Sequence, residues 1–285
     1  MQRMRKDDCM SKRDCNWDYK KLQRYVSEGY GSGVLSQYKP WLSIQSFPSK
    51  GRVSRIRGWK TGRIHHLFSD IQSQYFYLID WNENVTDIRE HFPLLDLADV
   101  LPDNKDLNQK YFDRENGAYV LTTTFMITLK NNTHIARSIK LASDLNKKSV
   151  LQRLEIERRY WAKKGIDWGV VTPKEMDIIA AKNIEWVHPT LYSFEERGLT
   201  LDKLHYYSEN FINIIRSSNE PIRKITSNFD SEYDLDAGTG LFIFKYLIAI
   251  KGMEVDMSKP IEIGNRTAEM IVRINGGGEL IACNQ

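Results

Sequence analysis

A strand pattern that runs out, turns and returns constrains this chain more than any other feature. AYVLTTTFMITLK, residues 118–130, alternates and is rich in Val, Thr, Phe and Ile, so it reads as a β-strand. Asn131 and Asn132 supply a turn, and HIARSIKLASDL returns as a second strand with Ile135 and Ile139 apolar. By the period of two, Ser138 and Lys140 share one face of that strand. Behind the hairpin, LNKKSVLQRLEIERRYWAKKG sets Val150, Leu151, Leu154 and Trp161 on one helical face, with Glu155 and Arg159 paired at i, i+4 and Gly165 as a stop. IDWGVVT, residues 166–172, reads as a compact buried strand, and Pro173 opens another helix. A hairpin followed by helix and strand calls for a sheet with helices laid on it, an α/β layered domain.

The rest of the chain arranges itself around that core. In residues 62–95, His65 and His66 close a basic loop. Leu67, Ile71, Phe76 and Leu78 then give a largely apolar helix with Gln72 in its middle and Trp81 at its end. Val85, Ile88 and Phe92 follow in an extended segment that Pro93 stops. Residues 1–16 read as disordered, and residues 18–27 as a short helix with Leu22 and Val26 on one face. Pro40, Pro48, Gly51 and Gly58 forbid a long helix in residues 37–62, which read as a strand-and-loop arm across the surface. Residues 96–117 are a polar excursion. From about residue 176 the chain is mostly helical and closes on short strands, the outline of a winged-helix module. Gly238-Thr239-Gly240 caps an apolar helix over 241–250, and GGGEL is a flexible tail. The expected organisation is a basic extension over 1–36, an α/β domain over 37–175 and a winged-helix-like domain over 176–285.

Length and composition agree: 285 residues suit one large or two ordinary domains, and the run LFIFKYLIAI is too short to span a bilayer. The N-terminal MQRMRKDDCMSKRDC lacks the apolar stretch of a signal peptide, so a cytoplasmic location is expected. Cys9, Cys15 and Cys283 have neither disulfide nor zinc-site spacing and read as reduced thiols. The net charge of +4 conceals an asymmetry, because residues 1–63 hold 15 Lys and Arg against 5 Asp and Glu. That quarter also carries Tyr30, Tyr38, Trp41 and Trp59. A basic arm with aromatics interleaved suits a nucleic-acid backbone, through Lys50, Arg52, Arg55, Arg57, Lys60, Arg63 and His65; the other reading is a solvated basic face.

Motifs narrow the chemistry. The chain has no Walker A loop, GxGxxG, HExxH or GxSxG elbow. His65 and His66 are adjacent and point apart; one can line a phosphate site, or both can be ordinary surface or core histidines. A hairpin whose second strand carries a Lys two residues after a polar side chain is the core of restriction-type nucleases. There carboxylates hold a divalent metal that bridges nucleophile and scissile phosphate, and the Lys orients the attacking water.

Four stretches sharpen this. TGRIHHLFSDI, DIREHFPL, LEIERRYW and KNIEWV, in this order and at these spacings, resemble the TnsA endonuclease family, clearly over residues 38–188 and in outline beyond. The resemblance implies a restriction-endonuclease-like N-terminal domain followed by a mostly helical, winged-helix-like C-terminal domain. It also implies Mg²⁺-dependent cutting at the 5′ ends of a transposon, with a DDE transposase and an AAA+ ATPase regulator as partners. Carried over position by position, the family's helix glutamate falls on Gln72, its strand aspartate on Thr124 and its glutamine on Ser138. Only its lysine stays, as Lys140. Neutral side chains do not offset the desolvation of Mg²⁺, and Lys140 repels it, so both metal-ligand positions are vacant of charge. Glu155 or Glu157, on the following helix, can face the site directly or support it from behind. The sequence therefore predicts a TnsA-like, DNA-binding assembly subunit without its own cleavage. The alternatives are an active endonuclease through displaced carboxylates, or a domesticated DNA-binding regulator.

Overall fold

The hairpin forms the middle of a four-stranded sheet in the order β3 (Val85–Pro93), β4 (Thr122–Leu129), β5 (His134–Ile139), β6 (Asp167–Val171). The first three strands run antiparallel, and β6 joins β5 in parallel after a crossover through helix α4 (Lys148–Lys163). The structure, a computed structural model, describes residues 19–45, 51–112 and 119–275. Lys50, the three cysteines, the stretch expected to be disordered and the GGGEL tail lie outside these residues. The chain divides into two compact units, Met1–Met176 and Asp177–Gln285.

In the first unit the pleat sends neighbours to opposite faces of the sheet. Phe125 meets Tyr75 of helix α2 (Asp70–Trp81) at 5.8 Å, while Met126 and Ala136 pack on Ile156, Tyr160 and Trp161 of α4. Leu154 and Trp161 are buried as their spacing requires, but Leu151 is half exposed. Asn132 takes a left-handed φ of 61° in the hairpin turn, and Gly165, at φ 66°, follows α4. The excursion after β3 is less polar than it reads: Leu97 of the short helix α3 (Leu97–Val100), Leu101 and Tyr111 join the α4 core, and Asp96 binds Lys164 and Tyr160, both at 2.5 Å.

Several local expectations change. His65 and His66 lie on strand β2 (Ile64–Leu67), paired antiparallel with β1 (Ser54–Arg57). Leu67 therefore belongs to a strand, and α2 begins only after Ser69, the N-cap. Gln72 sits in the first turn of α2 and not mid-helix. In α1 (Tyr19–Ser27) the buried residue is Tyr25, with Val26 exposed, because Tyr25 stacks on Tyr30 and meets Trp41. Tyr38 and Trp41 are buried, so the segment after α1 is anchored in the unit, and these two rings offer no stacking surface.

The second unit is helical. Helix α5 (Ile178–Val187) precedes α6 (Leu201–Ser217), α7 (Ile222–Glu232) and α8 (Thr239–Ala249). Strands β7 (Met253–Val255) and β8 (Ile271–Ile274) pair antiparallel, and Pro221 bridges Arg266. The apolar helix is capped as expected. The Asp230 carboxylate accepts from Gly238 N–H at 2.7 Å and Gly240 N–H at 2.6 Å, and Gly238 has φ 89°. Nine of the eleven residues of α8 are buried. Among the described residues no helix is long and apolar enough to cross a membrane.

Candidate functional site

Two polar clusters occupy the first unit, and the sequence motifs divide between them. The first is built around Glu90 of β3, whose side chain is wholly enclosed. Arg63 grips it with both guanidinium nitrogens at 2.8 and 2.5 Å, His65 Nδ1 lies 2.8 Å away and His66 N–H donates at 3.2 Å. Arg63 also donates to the Ile88 carbonyl at 2.9 Å and lies over the Tyr38 ring at 5.0 Å. Burial alone would raise the Glu90 pKa, but His65 and the Arg63 pair outweigh it and hold the carboxyl well below its usual range. A buried charge persists only when paired in this way. His65 completes the set through Thr61 Oγ1 at 2.7 Å.

This cluster redirects two of the residues expected on DNA. Arg63 and His65 are turned inward and spent on Glu90, with side chains 9% and 0% exposed. The basic residues that remain at the surface are Arg52, Arg55 and Arg57, with Lys60 half-buried beside them. Arg55 and Arg57 share the outward face of β1, opposite buried Ile56. Arg52 lies 3.9 Å from Asp70.

The second cluster surrounds the positions that the sequence resemblance assigns to catalysis. Gln72 Oε1 accepts from Phe68 N–H at 2.8 Å, and Ser69 Oγ accepts from Gln72 N–H at 3.4 Å. This is a variant of the capping box, so Gln72 serves the start of its own helix. Thr124 Oγ1 accepts from Ile139 N–H at 3.1 Å, just beyond the last β4–β5 pair, Phe125 with Arg137. Ser138 donates its hydroxyl to Glu157 of α4. Thr123 donates to the same Glu157 oxygen at 2.9 Å and accepts from Trp161 Nε1 at 2.8 Å. Lys140, half-buried, follows β5 and forms no ion pair among the described residues.

Burial raises the pKa of Glu157, and nearby Lys140 and the Ser138 and Thr123 hydroxyls pull against it without prevailing. Lys140 also acts on His91 of β3. His91 is buried, has φ 50°, bonds the His66 carbonyl at 2.7 Å through Nε2, and meets Phe68 at a ring distance of 4.5 Å. Burial pushes its pKa down to about 4. The site is thus a set of satisfied neutral acceptors, a protonatable carboxyl behind them and a lysine that forms no ion pair among the described residues.

This donor set does not fit Mg²⁺. No group of three His, Cys, Asp or Glu side chains able to hold a metal occurs among the described residues. The Gln72 and Thr124 oxygens are neutral and already accept backbone hydrogens, and Lys140 opposes a cation.

Glu157 and Glu90 are the residues that motif reading undervalues. Glu157 lies on the inward stripe with Leu154 and Trp161, three and four residues away, and that spacing is its signal. Glu155 points outward to Arg158 and Arg159, which hold its pKa down to about 2. Glu90, in a strand buried on both faces, had no periodic signal.

The comparisons with known proteins agree with the motifs. The family described as "TnsA-like endonuclease N terminal" matches residues 82–173, and "TnsA endonuclease C terminal" matches residues 175–257. Transposon Tn7 transposition protein TnsA of Escherichia coli is 32% identical over 265 residues, covering 92% of this chain and 95% of that protein. With both halves matched in order and nearly the whole length aligned, the chain belongs to the TnsA family.

Proposed function

We propose that this chain is a TnsA-like subunit of a Tn7-type transposition complex that binds transposon-end DNA and takes part in assembly, its own metal-dependent 5′ cleavage having been lost. The observation that carries this reading is the state of Gln72 and Thr124. Each presents a neutral oxygen where the family pattern has a carboxylate, and each oxygen is engaged by a backbone amide. The DNA-contacting set is the outward basic face, Arg52, Arg55, Arg57 and Lys60, with Lys50 before it. The protein partners are a DDE transposase and an AAA+ regulator, in the cytoplasm. The second unit is read as winged-helix-like. In that reading α8 is the third helix of the module, and its burial favours a protein-binding over a base-reading role.

Transposition without 5′ cleavage leaves the donor joined through its second strand, giving a replicative product. The test is strand-specific nicking of labelled transposon ends with partner proteins and Mg²⁺ or Mn²⁺ present. No 5′ cut is expected; strong 5′ cuts abolished by Lys140→Ala would overturn the reading. One observation favours a second reading, an endonuclease acting through a displaced carboxylate: Glu157 stands beside Ser138 and Lys140. Cuts abolished by Glu157→Gln would identify that case.

A further inference from the structure

The second unit carries a surface feature that nuclease chemistry does not use. Tyr206 and Tyr207 of α6 and Tyr233 after α7 meet edge-on, with ring centroids 5.4, 6.3 and 5.7 Å apart and interplanar angles of 63°, 76° and 82°. The trio is held from beneath by Phe229, which stacks on Tyr233 at 4.5 Å and meets Tyr207 at 6.2 Å. Tyr206 is nevertheless 55% exposed. Rigid rings fixed at a surface offer large contact area at little entropic loss, and their faces attract cations.

Charge around the trio points one way. Asp202 and Glu209 lie four residues before and three after Tyr206, on the same face of α6, and both are exposed. Glu232 and Asp234 flank Tyr233. None of these four carboxylates has an ion-pair partner among the described residues. Lys203 is the single Lys or Arg between Thr200 and Ile215. The whole unit, residues 177–285, holds 11 Lys and Arg against 16 Asp and Glu, whereas the N-terminal quarter is strongly basic. Such a surface repels a phosphate backbone.

We propose that Tyr206, Tyr207 and Tyr233, with Asp202, Glu209, Glu232 and Asp234 around them, form a docking surface for a lysine- and arginine-bearing peptide segment of a protein partner. The proposal rests on the assembly role given above and specifies its chemistry. Cationic side chains lie across the exposed Tyr206 face, and the four carboxylates supply the charges that they neutralise.

The test uses the full-length chain and a fluorescein-labelled peptide of alternating arginine and glycine, followed by fluorescence polarisation at physiological salt. Tyr206→Leu is expected to weaken binding about tenfold, and Tyr206→Phe, which keeps the ring face, to stay within about twofold. The pair Asp202→Asn and Glu209→Gln is expected to weaken binding and flatten its salt dependence. Unchanged affinity in Tyr206→Leu would overturn the proposal. So would a short DNA duplex whose binding depends on Tyr206. Transposon-end complexes that recruit Tyr206→Leu as well as the unaltered chain would overturn this surface alone; complexes that never contain the unaltered chain would overturn the assembly role.

Discussion

Ile139 N–H donates to Thr124 Oγ1 at 3.1 Å, beyond the last paired rung of the hairpin, Phe125 with Arg137. The hydroxyl thus does for the strand end what a ladder carbonyl does elsewhere. An aspartate at 124 would accept the same hydrogen and add a charge, and a glutamate at 72 would still accept from Phe68 N–H. The double variant Gln72→Glu, Thr124→Asp is therefore expected to fold and to acquire a Mn²⁺-binding heat in calorimetric titration that the parent chain lacks. Equal heats from both would show that metal binding does not depend on these positions.

Arg63 holds Glu90 in a buried pair, with the two side chains 9% and 0% exposed. Removing one partner of a buried pair leaves the other unpaired, so Arg63→Ala is expected to lower unfolding free energy by about 3–5 kcal/mol in urea denaturation. A stability near the parent's together with weakened DNA binding would return Arg63 to the DNA surface.

His91 and Glu90 make the first unit acid-labile. The folded-state pKa of His91, about 4, lies below its ordinary 6.5, so the unfolded chain binds more protons in that window. Stability is fully present above pH 6.5 and falls as pH drops toward 4, by about 3 kcal/mol for a shift of this size. Glu90, also depressed, adds loss below the ordinary carboxylate range. Asparagine tolerates left-handed backbone, so His91→Asn is expected to flatten the slope between pH 6.5 and 4, measured by thermal melts.

Glu157 acts in the opposite sense. Its raised pKa means that the folded chain keeps its proton longer, so this contribution is present below the ordinary glutamate pKa and is lost as pH rises through the folded value. Glu157→Gln keeps an acceptor for Ser138 and Thr123, and is expected to be at least as stable as the parent at pH 8 and to lose that decline.

The outward face of β1 carries the DNA prediction. Arg55→Ala with Arg57→Ala is expected to flatten the slope of log affinity against log salt by about 2 on duplex DNA, with melting unchanged. An unaltered slope would mean that this face is only solvated.

The hairpin, its turn, α4 and the crossover to β6 were legible because periodicity is a direct image of burial there. The start of α2 was not, because Leu67 continues an apolar run across a strand, a loop and a cap, and only Ser69 marks the boundary. The resemblance assigns catalytic positions but not their hydrogen-bond partners: nothing in the letters says that Gln72 turns back to Phe68. The pairing of Arg63 was not legible, because a basic residue between glycine and apolar neighbours looks like a surface contact, and its partner Glu90 lies 27 positions away inside a strand.

The Glu90 cluster also explains what the TGRIHH and DIREHFP strings identify. Their polar letters tie β2 to β3 by Arg63, His65 and His66 around one carboxylate, and none of these bonds involves Gln72, Thr124, Ser138 or Lys140. The strings are an architectural signature. In the function proposed above, the ability to cut DNA depends on other positions, 72 and 124.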